Sequence, residues 1–407
     1  MFPDVPDTGL PLSGLRVLDV TIWQQGPYST AMLADFGADV IKIEGPDSPD
    51  PGRGLTAGGL PGKLNGYFET NNRNKRGIVI DLKHPEGRQV LLKLAETADV
   101  IVSNMRLGVL DRLGLSYEDV KARNPKIIYA VGSGYGPKGP HAQWPAMDTL
   151  GQARSGMMMM VGAPDQPPTF STVNTADQVG GMMLSYGILL ALWHRARTGE
   201  GQRVDGSLLG GQIVLQAHHI ATSLINETVP ERRFRSDAAP LWNSYKCRDG
   251  RYLTLSMAQF GRWWPNFAAA MGLERLAEDE RFCTVQAMLT NRVELVAILD
   301  EVFATRDQWD WVNDLCEKGL AVAPVQDYGQ LEDDPQVVAN RYIQTVPHPS
   351  GQTLKLVAPA IELETTPGTF RRVAPEFGEH TEEILIEAGY DWDQIGHLRE
   401  VGAVGAK

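Results

Sequence analysis

The sequence has few cysteines, and none of them is arranged to bind a metal. Only three occur among 407 residues, Cys247, Cys283 and Cys316, and no two of them form a CxxC pair. This usage is typical of proteins from a reducing compartment and gives no zinc or redox motif. We therefore predict a protein without a metal site.

Hydrophobic runs long enough to cross a bilayer are also missing. The longest apolar stretch, Val179 to Trp193, is shorter than the roughly 20 residues that a membrane-spanning helix needs, and three glycines interrupt it. The first ten residues have neither the positive charge nor the apolar core of a secretion signal. The sequence thus predicts a soluble, cytoplasmic protein with no membrane partner.

Positive charge is in deficit, with 38 Lys and Arg against 50 Asp and Glu and a net charge of −12. A nucleic-acid partner is not expected, because such binding needs a basic surface that displaces counterions. Two local groups of basic residues stand out. Arg73, Lys75 and Arg76 lie just before one predicted strand, and Arg106 and Arg112 follow another. At the strand edges of an α/β sheet such residues suit a polyanionic ligand, and a solvated face is the alternative.

Short β-branched runs alternate with helical patterns over the first third of the chain. This alternation predicts βαβ units with a parallel sheet, and the handedness of such connections places helices on both faces. The fold class is therefore α/β, with a doubly wound, mostly parallel, Rossmann-like sheet. The predicted strands are Leu15–Val20, Asp39–Ile43, Gly77–Leu82, Asp99–Val102 and Lys126–Val131, and the predicted helices are Pro27–Phe36, one from Pro85, and Ser116–Arg123 with Ser116 as its cap.

The glycine pattern argues against a nicotinamide cofactor in this fold. The turn after the first strand reads TIWQQGP (21–27) and lacks the glycines that let a pyrophosphate approach the backbone. A GxGxxG pattern does occur at 134–139, after a predicted strand. However, Pro137, Pro140 and Pro145 prevent a helix from beginning there, so no helix end is available for a phosphate.

Composition changes after the first half of the chain. Residues 226–240 are polar and contain proline, which is typical of a linker. Beyond them, Tyr245–Cys247 and Tyr252–Ser256 flank an Asp-Gly turn and predict a hairpin, and Ala321–Val325 predicts a further strand. Earlier in the chain, residues 49–66 are dense in glycine and proline, and a loop of this length is more often functional than idle.

Asp177 stands at the start of a helix that is apolar on nearly all sides and runs to about Arg197. Such a helix is expected to be buried. Capping the helix is the ordinary role of an aspartate in this place. The positive helix end and the small neighbouring residues would equally keep the carboxylate ionised and admit a substrate, as a covalent nucleophile requires. Asp148 follows a Gly/Pro loop, and the ordinary role of such a residue is to cap a helix or to form an ion pair.

Several segments together resemble the class III CoA-transferases, the superfamily of formyl-CoA transferase, carnitine-CoA transferase and α-methylacyl-CoA racemase. The resemblance covers nearly the whole chain and depends on the order and spacing of these segments. They are GLRVLD (14–19), LADFGADVIKIE (33–44), NKR (74–76), LDRLG (110–114), NPKIIY (124–129), RTGEGQ (197–202) and GEHT (378–381).

The resemblance implies how the chain is organised and what it binds. A large α/β domain would comprise residues 1–225, completed by 331–407, and a smaller α+β domain would be inserted at 226–330. Two subunits would interlock like chain links, as a homodimer or as a heterodimer with a paralogue. The implied partners are an acyl-CoA and a small carboxylic acid, with coenzyme A as a substrate and no permanently bound cofactor.

The resemblance also assigns site residues. It places the catalytic aspartate at Asp177, puts Gln24 near an acyl carboxylate, and gives Asp148 and Met147 supporting or substrate-binding positions. Arg53 would replace the arginine that members often carry after the second strand, where this chain has Gly45-Pro46. The implied CoA-binding residues are Arg53, Lys75, Arg76, Asn104, Arg112 and Tyr135.

The implied reaction is a CoA transfer through covalent intermediates on the aspartate, a mixed anhydride followed by an aspartyl-CoA thioester. Racemase members carry a histidine directly before the second acid, where this chain has Met147, so we favour a transferase over a racemase. A catalytically silent, CoA-binding subunit is a further alternative. An apolar or aromatic acyl pocket could be formed by Trp23, Trp144 and Met157–Met160, but the same residues could equally belong to the core. The sequence therefore does not indicate which acid the enzyme uses.

Overall fold

The computed structural model describes residues 9–54 and 63–405, so the middle of the glycine- and proline-rich loop lies outside the described residues. The described residues form two compact units. The first comprises residues up to Met159, Thr169–Val229, and residues from Asn340 onward, and the second comprises Met160–Pro168 and Pro230–Ala339. The predicted domain limits, 226 and 330, stay a prediction.

A six-stranded parallel sheet lies at the centre of the first unit, in the order β3-β2-β1-β4-β5-β6. This arrangement confirms the predicted α/β class and parallel sheet. The first five strands overlap the predicted ones, whereas the sixth was missed because its segment RVDGS contains a single β-branched residue and lies half-exposed at the sheet edge. The strands are β1 (Arg16–Val20), β2 (Asp39–Glu44), β3 (Lys75–Val79), β4 (Val100–Ser103), β5 (Ile128–Ser133) and β6 (Arg203–Ser207).

Helices pack on both faces of this sheet, and a hairpin lies near the end of the unit. Ser116 caps its helix as predicted, since its hydroxyl accepts a hydrogen bond from the Asp119 N–H at 3.2 Å. The elements are α1 (Gln25–Asp35), α2 (Gly66–Asn72), α3 (Pro85–Glu96), α4 (Val109–Arg112), α5 (Tyr117–Arg123), α6 (Asp148–Arg154), α7 (Thr175–Thr198), α8 (Leu208–Leu215), α9 (Ala217–Asn226), β10 (Ile343–Pro347), β11 (Thr353–Val357), α16 (Thr381–Glu387) and α17 (Trp392–Glu400).

The second unit combines a three-stranded antiparallel sheet with short helices around its own apolar core. The predicted hairpin is confirmed, because Tyr245 pairs with Leu253 across a turn in which Gly250 adopts a φ of 81°. The elements are β7 (Ser244–Lys246), β8 (Tyr252–Leu255), α10 (Phe260–Ala270), α11 (Glu274–Glu278), α12 (Val285–Thr290), α13 (Arg292–Phe303), α14 (Gln308–Glu317), β9 (Val322–Val325) and α15 (Pro335–Ala339).

The prediction that α7 is buried is right for one face of the helix and wrong for the other in the single chain. One face of the helix packs against α1 and the sheet through Gly181, Leu184 and Ile188. The opposite face is also apolar but is open, and Trp193 on it is 66% exposed. The helix has apolar residues all round, yet the fold of one chain covers only one side of it. In residues 9–54 and 63–405, no helix is long and apolar enough to cross a membrane.

The strand order brings two loops together at one edge of the sheet. β1 lies between β2 and β4 in the sheet. The connection after β1 runs to β2 on one side, and the connection after β4 runs to β5 on the other side. The carboxyl ends of β1 and β4 therefore flank a crevice of the kind in which α/β proteins bind ligands. Asn104, directly after β4, holds the loop after β1. Its amide donates to the Ile22 carbonyl at 2.7 Å and accepts from the Ile22 N–H at 2.9 Å.

Candidate active site

A cavity of about 590 Å³ lies at these strand ends. Loops after β1, β4 and β5 form most of its wall, and the first turn of α7 contributes Asp177. Its remaining lining residues are Ile22, Trp23, Gln25, Asn104, Met105, Arg106, Leu107, Val109, Arg112, Gly132, Ser133, Gly134, Ala142, Trp144, Pro145, Ala146, Met147, Leu150 and Leu208.

Asp177 does not cap the helix on which it lies. It is the third residue of α7, and Asn174 occupies the cap position with a φ of 51° and no side-chain cap. The carboxylate of Asp148, on α6, takes over this task from outside the helix. Its Oδ1 accepts hydrogen bonds from the N–H groups of Ala176 and Asp177, at 2.7 and 3.1 Å. Because these donors are satisfied elsewhere, the Asp177 side chain is free to face the cavity.

The electrostatic surroundings of Asp177 favour its neutral form. Burial and the negative charge of Asp148 raise the pKa of Asp177 to about 7, while a hydrogen bond from the Gln25 N–H acts in the opposite direction. A carboxyl group poised near neutral pH in a cavity is typical of functional sites. Above that pH it becomes a poorly solvated carboxylate, which is a more reactive nucleophile than a fully hydrated one.

Three glycines let Gln25 lie close to Asp177. A Cβ added to Gly132 or Gly180 would lie 2.7 or 2.8 Å from the Gln25 side-chain amide, and one added to Gly181 would lie 2.8 Å from the Gln25 carbonyl oxygen. All three distances are shorter than real Cβ contacts. The start of α1 therefore packs tightly between β5 and α7. This packing keeps the Gln25 N–H within hydrogen-bond reach of the Asp177 carboxylate.

The two residues before Gln25 are held equally firmly. Gln24 is buried, and its Oε1 accepts a hydrogen bond from Asn174 Nδ2 at 2.7 Å, which ties the loop after β1 to the start of α7. Trp23 has a φ of 63°, and its N–H donates to Asp50 Oδ1 at 3.0 Å. The predicted contact of Gln24 with an acyl carboxylate stays a prediction.

The structure brings two of the predicted CoA-binding residues, Asn104 and Arg112, to the cavity. Arg106 joins them from the same segment. Both arginines are exposed, and neither forms an ion pair with any side chain in the described part of the protein. Asn104 instead uses both ends of its amide on the Ile22 backbone. Tyr135 lies in the loop after β5, under the Arg154 guanidinium at 4.8 Å, and does not line the cavity.

Lys75, which was predicted to bind CoA, lies inside the protein. Its side chain is fully buried, and the three donors of its ammonium group are all used, on Asp19 Oδ2 at 2.7 Å, the Pro27 carbonyl at 2.9 Å and Asn72 Oδ1 at 2.9 Å. Burial lowers the pKa of Lys75 to about 8. The side chain thus has no donor left for a phosphate, and we remove it from the CoA-binding set.

Two more of the predicted CoA ligands are engaged away from the cavity. Arg76 is buried and pairs with Asp39, Glu383 and Glu387, each at 2.7 Å. Arg53 pairs with Glu44 at 2.7 Å, and its guanidinium lies over the Phe68 ring. These pairs hold the sheet to the end of the chain and to the loop after β2. The sequence could not reveal the pairs of Arg76 with α16, because these partners lie more than 300 residues away.

The methionine run predicted as core or pocket lining is neither. Met157–Met159 form a 3-10 turn, Met159 is 56% exposed, and none of Met157–Met160 lines the cavity. Trp23 and Trp144, by contrast, both line it. No group of three or more His, Cys, Asp or Glu among the described residues is arranged to hold a metal ion.

Tyr67, on the first turn of α2, was missed in the sequence. Its pKa is raised by burial and by the charges of Asp177, Asp50 and Asp148, which places its phenol near the catalytic candidate. The one feature of the sequence that could have indicated Tyr67 is its position directly after the glycine- and proline-rich loop. Within residues 9–54 and 63–405 its hydroxyl forms no hydrogen bond, and Tyr67 is not among the residues that line the cavity.

Known proteins are similar to this chain over most of its length. The sequence model of CoA-transferase family III matches residues 12–381. The chain belongs to that family. As a class III CoA-transferase it is an enzyme of the CaiB/BaiF type, as the resemblance predicted.

Relatives of the chain align over most of its length. The (R)-2-hydroxy-4-methylpentanoate CoA-transferase of Clostridioides difficile is 32% identical, with 96% of this chain and 98% of the relative aligned. The succinate–glutarate CoA-transferase of Agrobacterium fabrum is 33% identical, with 94% and 97% aligned. A CaiB/BaiF family protein from Brucella suis, of known crystal structure, superposes with a TM-score of 0.83 at 30% identity and covers 93% of this chain and 99% of its own.

The raised pKa of Asp177 predicts a pH-dependent effect on stability. In the unfolded chain this carboxyl group ionises near pH 4, and in the folded protein only near pH 7. Between about pH 4 and pH 7 the carboxyl group therefore binds its proton in the folded state but has lost it in the unfolded state. The stability of the wild type falls as the pH rises through this range. We expect Asp177→Asn to raise the unfolding midpoint relative to wild type, and by more at pH 8 than at pH 5.

Thermal unfolding at several pH values between 5 and 8 measures this difference. Asp165→Asn, at an exposed position that does not line the cavity, controls for the loss of one surface charge. A difference between Asp177→Asn and wild type that stays constant over this range would contradict the raised pKa.

Proposed function

We propose that this enzyme moves CoA from an acyl-CoA donor to a carboxylic acid through a covalent intermediate on Asp177. One observation carries the proposal. Asp177 presents a carboxyl group of raised pKa to a large cavity, and the helix donors that would otherwise occupy such a group are satisfied by Asp148.

The first half of the reaction loads CoA onto the enzyme. An Asp177 carboxylate oxygen attacks the thioester carbon of the donor, the carbon–sulfur bond breaks, and the CoA thiolate leaves behind a mixed anhydride. The thiolate then attacks the Asp177 carbonyl carbon of this anhydride. The donor acid leaves as a carboxylate, and Asp177 carries CoA as a thioester.

The second half runs the same steps with the acceptor. Its carboxylate attacks the aspartyl thioester, which forms a new anhydride and frees the thiolate. The thiolate attacks the acceptor carbonyl, and the products are the new acyl-CoA and the Asp177 carboxylate. The Gln25 N–H, which bonds to the Asp177 carboxyl group, is placed to donate to the oxyanion that forms on that carbon.

The binding of CoA is assigned to the segment after β4. Arg106 and Arg112 are exposed, lack ion pairs within the described part of the chain, and line the cavity that also contains Asp177. Guanidinium groups bind phosphate oxygens through paired hydrogen bonds. We propose that these two arginines contact the phosphates of CoA. A role for Tyr135 in the same contact stays a prediction.

The cavity favours a transferase over a racemase. Exchange of a proton from both sides of an acyl carbon needs two opposed bases. Among the lining residues that the structure describes, Asp177 is the only carboxylate and no histidine occurs. Met147 occupies the wall directly before Asp148, whose carboxylate is engaged with the backbone of α7. Relatives named for succinate, glutarate and a hydroxy acid support small carboxylic acids as acceptors.

We propose further that two copies of the chain interlock as a homodimer. The support is a large apolar surface on neighbouring helices, since monomeric proteins seldom expose contiguous apolar patches of this kind. Its residues are Met182, Tyr186, Leu189, Leu190 and Trp193 on α7 and Ile213, Val214 and Leu215 on α8. Sedimentation equilibrium should give twice the 44.7 kDa of one chain. A monomer at micromolar concentration would contradict the dimer.

Intact-protein mass spectrometry tests the covalent mechanism. After incubation with a pool of acyl-CoAs, wild-type enzyme should gain the mass of CoA less one water, and hydroxylamine should remove it because a thioester is cleaved by this nucleophile. Asp177→Ala should gain nothing. Asp393→Ala, which removes an exposed acid from the first turn of α17 outside the cavity, should behave as wild type.

An adduct that persists in Asp177→Ala would place the chemistry on another residue. If wild type gives no adduct with any donor, covalent transfer is excluded. CoA binding without an adduct would then support the silent subunit.

A further inference from the structure

Trp23 has a backbone conformation that is unfavourable for a bulky residue. Its φ of 63° lies in the left-handed region, where a side chain crowds the following carbonyl group. Residues held in this way persist only where the surrounding structure enforces them, and they cluster at functional sites. The backbone conformation of Trp23 therefore indicates a functional role for the indole in the cavity that it lines.

A buried ion pair enforces this conformation. The Trp23 N–H donates to Asp50 Oδ1 at 3.0 Å, and Asp50 Oδ2 pairs with Lys42 Nζ at 2.7 Å. Both charged side chains are fully buried. The neighbours of Trp23 are held as well, Ile22 by Asn104 and Gln24 by Asn174. Ile22 and Trp23 are thus held through their backbones and Gln24 through its side chain, so the segment that places the half-buried indole at the cavity wall is fixed.

The cavity that the indole lines also has apolar wall residues. Trp144, Met147 and Leu150 line the same cavity. Among its described lining residues, Arg106 and Arg112 are the only cations, and both come from the segment assigned to CoA. Apart from these two arginines and the candidate catalytic aspartate, the described lining residues thus offer apolar and uncharged polar surface and no cation to a second carboxylate.

We propose that Trp23 determines the acyl specificity of the enzyme and selects apolar, branched or aromatic monocarboxylic acyl groups over dicarboxylic ones. The inference rests on the proposed function, because the acyl group must reach Asp177 in this cavity. An apolar group gains by contact with the indole. A second carboxylate placed there would lose its hydration without gaining a partner, which is costly.

Two donors of nearly the same shape test the selection. In 4-methylpentanoyl-CoA an isopropyl group takes the place of the free carboxylate of succinyl-CoA. With each donor at equal, limiting concentration, the initial rate of CoA-adduct formation on the enzyme is measured by intact mass. We expect 4-methylpentanoyl-CoA to react at least about tenfold faster, because discrimination by a pocket of this kind reaches such values.

The possible outcomes separate this inference from the proposed function. A faster reaction with succinyl-CoA, or equal rates, would overturn the apolar selection and leave the covalent mechanism intact. An adduct with neither of these donors nor any donor of the wider acyl-CoA pool would overturn the proposed function and, with it, this inference.

A variant at Trp23 assigns the selection to the indole. Trp23→Gly removes the side chain at a backbone conformation that glycine adopts readily, so the fold is expected to tolerate it. We expect the ratio of the two rates to fall below about threefold, through loss of the 4-methylpentanoyl-CoA rate. Trp23→Phe, which keeps an aromatic ring, should recover part of the ratio.

Trp392→Ala is the matched control, because it removes an exposed tryptophan on α17 that does not line the cavity. It should keep the wild-type ratio. If Trp23→Gly slows both donors equally, the ratio is unchanged and the indole has a structural role only, which would overturn the assignment of specificity to Trp23.

Discussion

The site depends on one interaction, in which the Asp148 carboxylate accepts the N–H groups of Ala176 and Asp177. A helix end needs acceptors for its free N–H groups, and an aspartate in its first turn is a ready candidate. Because Asp148 supplies the acceptor from a different helix, Asp177 keeps its carboxyl group for the cavity. The same contact brings a second negative charge close, and this charge contributes to the raised pKa of Asp177.

The rest of the fold supplies rigid support for this arrangement. The strand order opens a crevice beside β1, and buried ion pairs, Lys42 with Asp50 and Lys75 with Asp19, lie beneath the loops that line it. Removing one partner of such a pair typically costs about 3–5 kcal/mol, since the other charge is left buried and unpaired. Charges that resemble ligand contacts in the sequence thus serve to position the loops. Of the basic residues that the sequence singled out before β3 and after β4, only Arg106 and Arg112 form no ion pair with the described part of the chain.

Much of the fold could be predicted because its causes are local. Alternating β-branched and helical runs indicated five strands and the parallel sheet, and Ser116 was identified as a cap from its spacing. The β6 strand carried too weak a local pattern to be found. The exposed face of α7 could not be predicted, because periodicity shows that a surface is apolar and does not show whether the same chain covers it. Asp177 lines the cavity as expected of a site residue, and its catalytic role stays a prediction. The burial of Lys75 could not be predicted, because its partner Asp19 lies 56 residues away.

The most direct test of this account is the pKa of the Asp177 carboxyl group itself. It can be measured by ¹³C NMR titration of protein labelled at aspartate side chains, with Asp177→Asn to assign the resonance. We expect a value of about 7 in wild type. We expect a lower value in Asp148→Asn, which keeps an acceptor oxygen for the helix but removes the charge. A wild-type value near 4, the ordinary value for aspartate, or a value unchanged by Asp148→Asn, would contradict it.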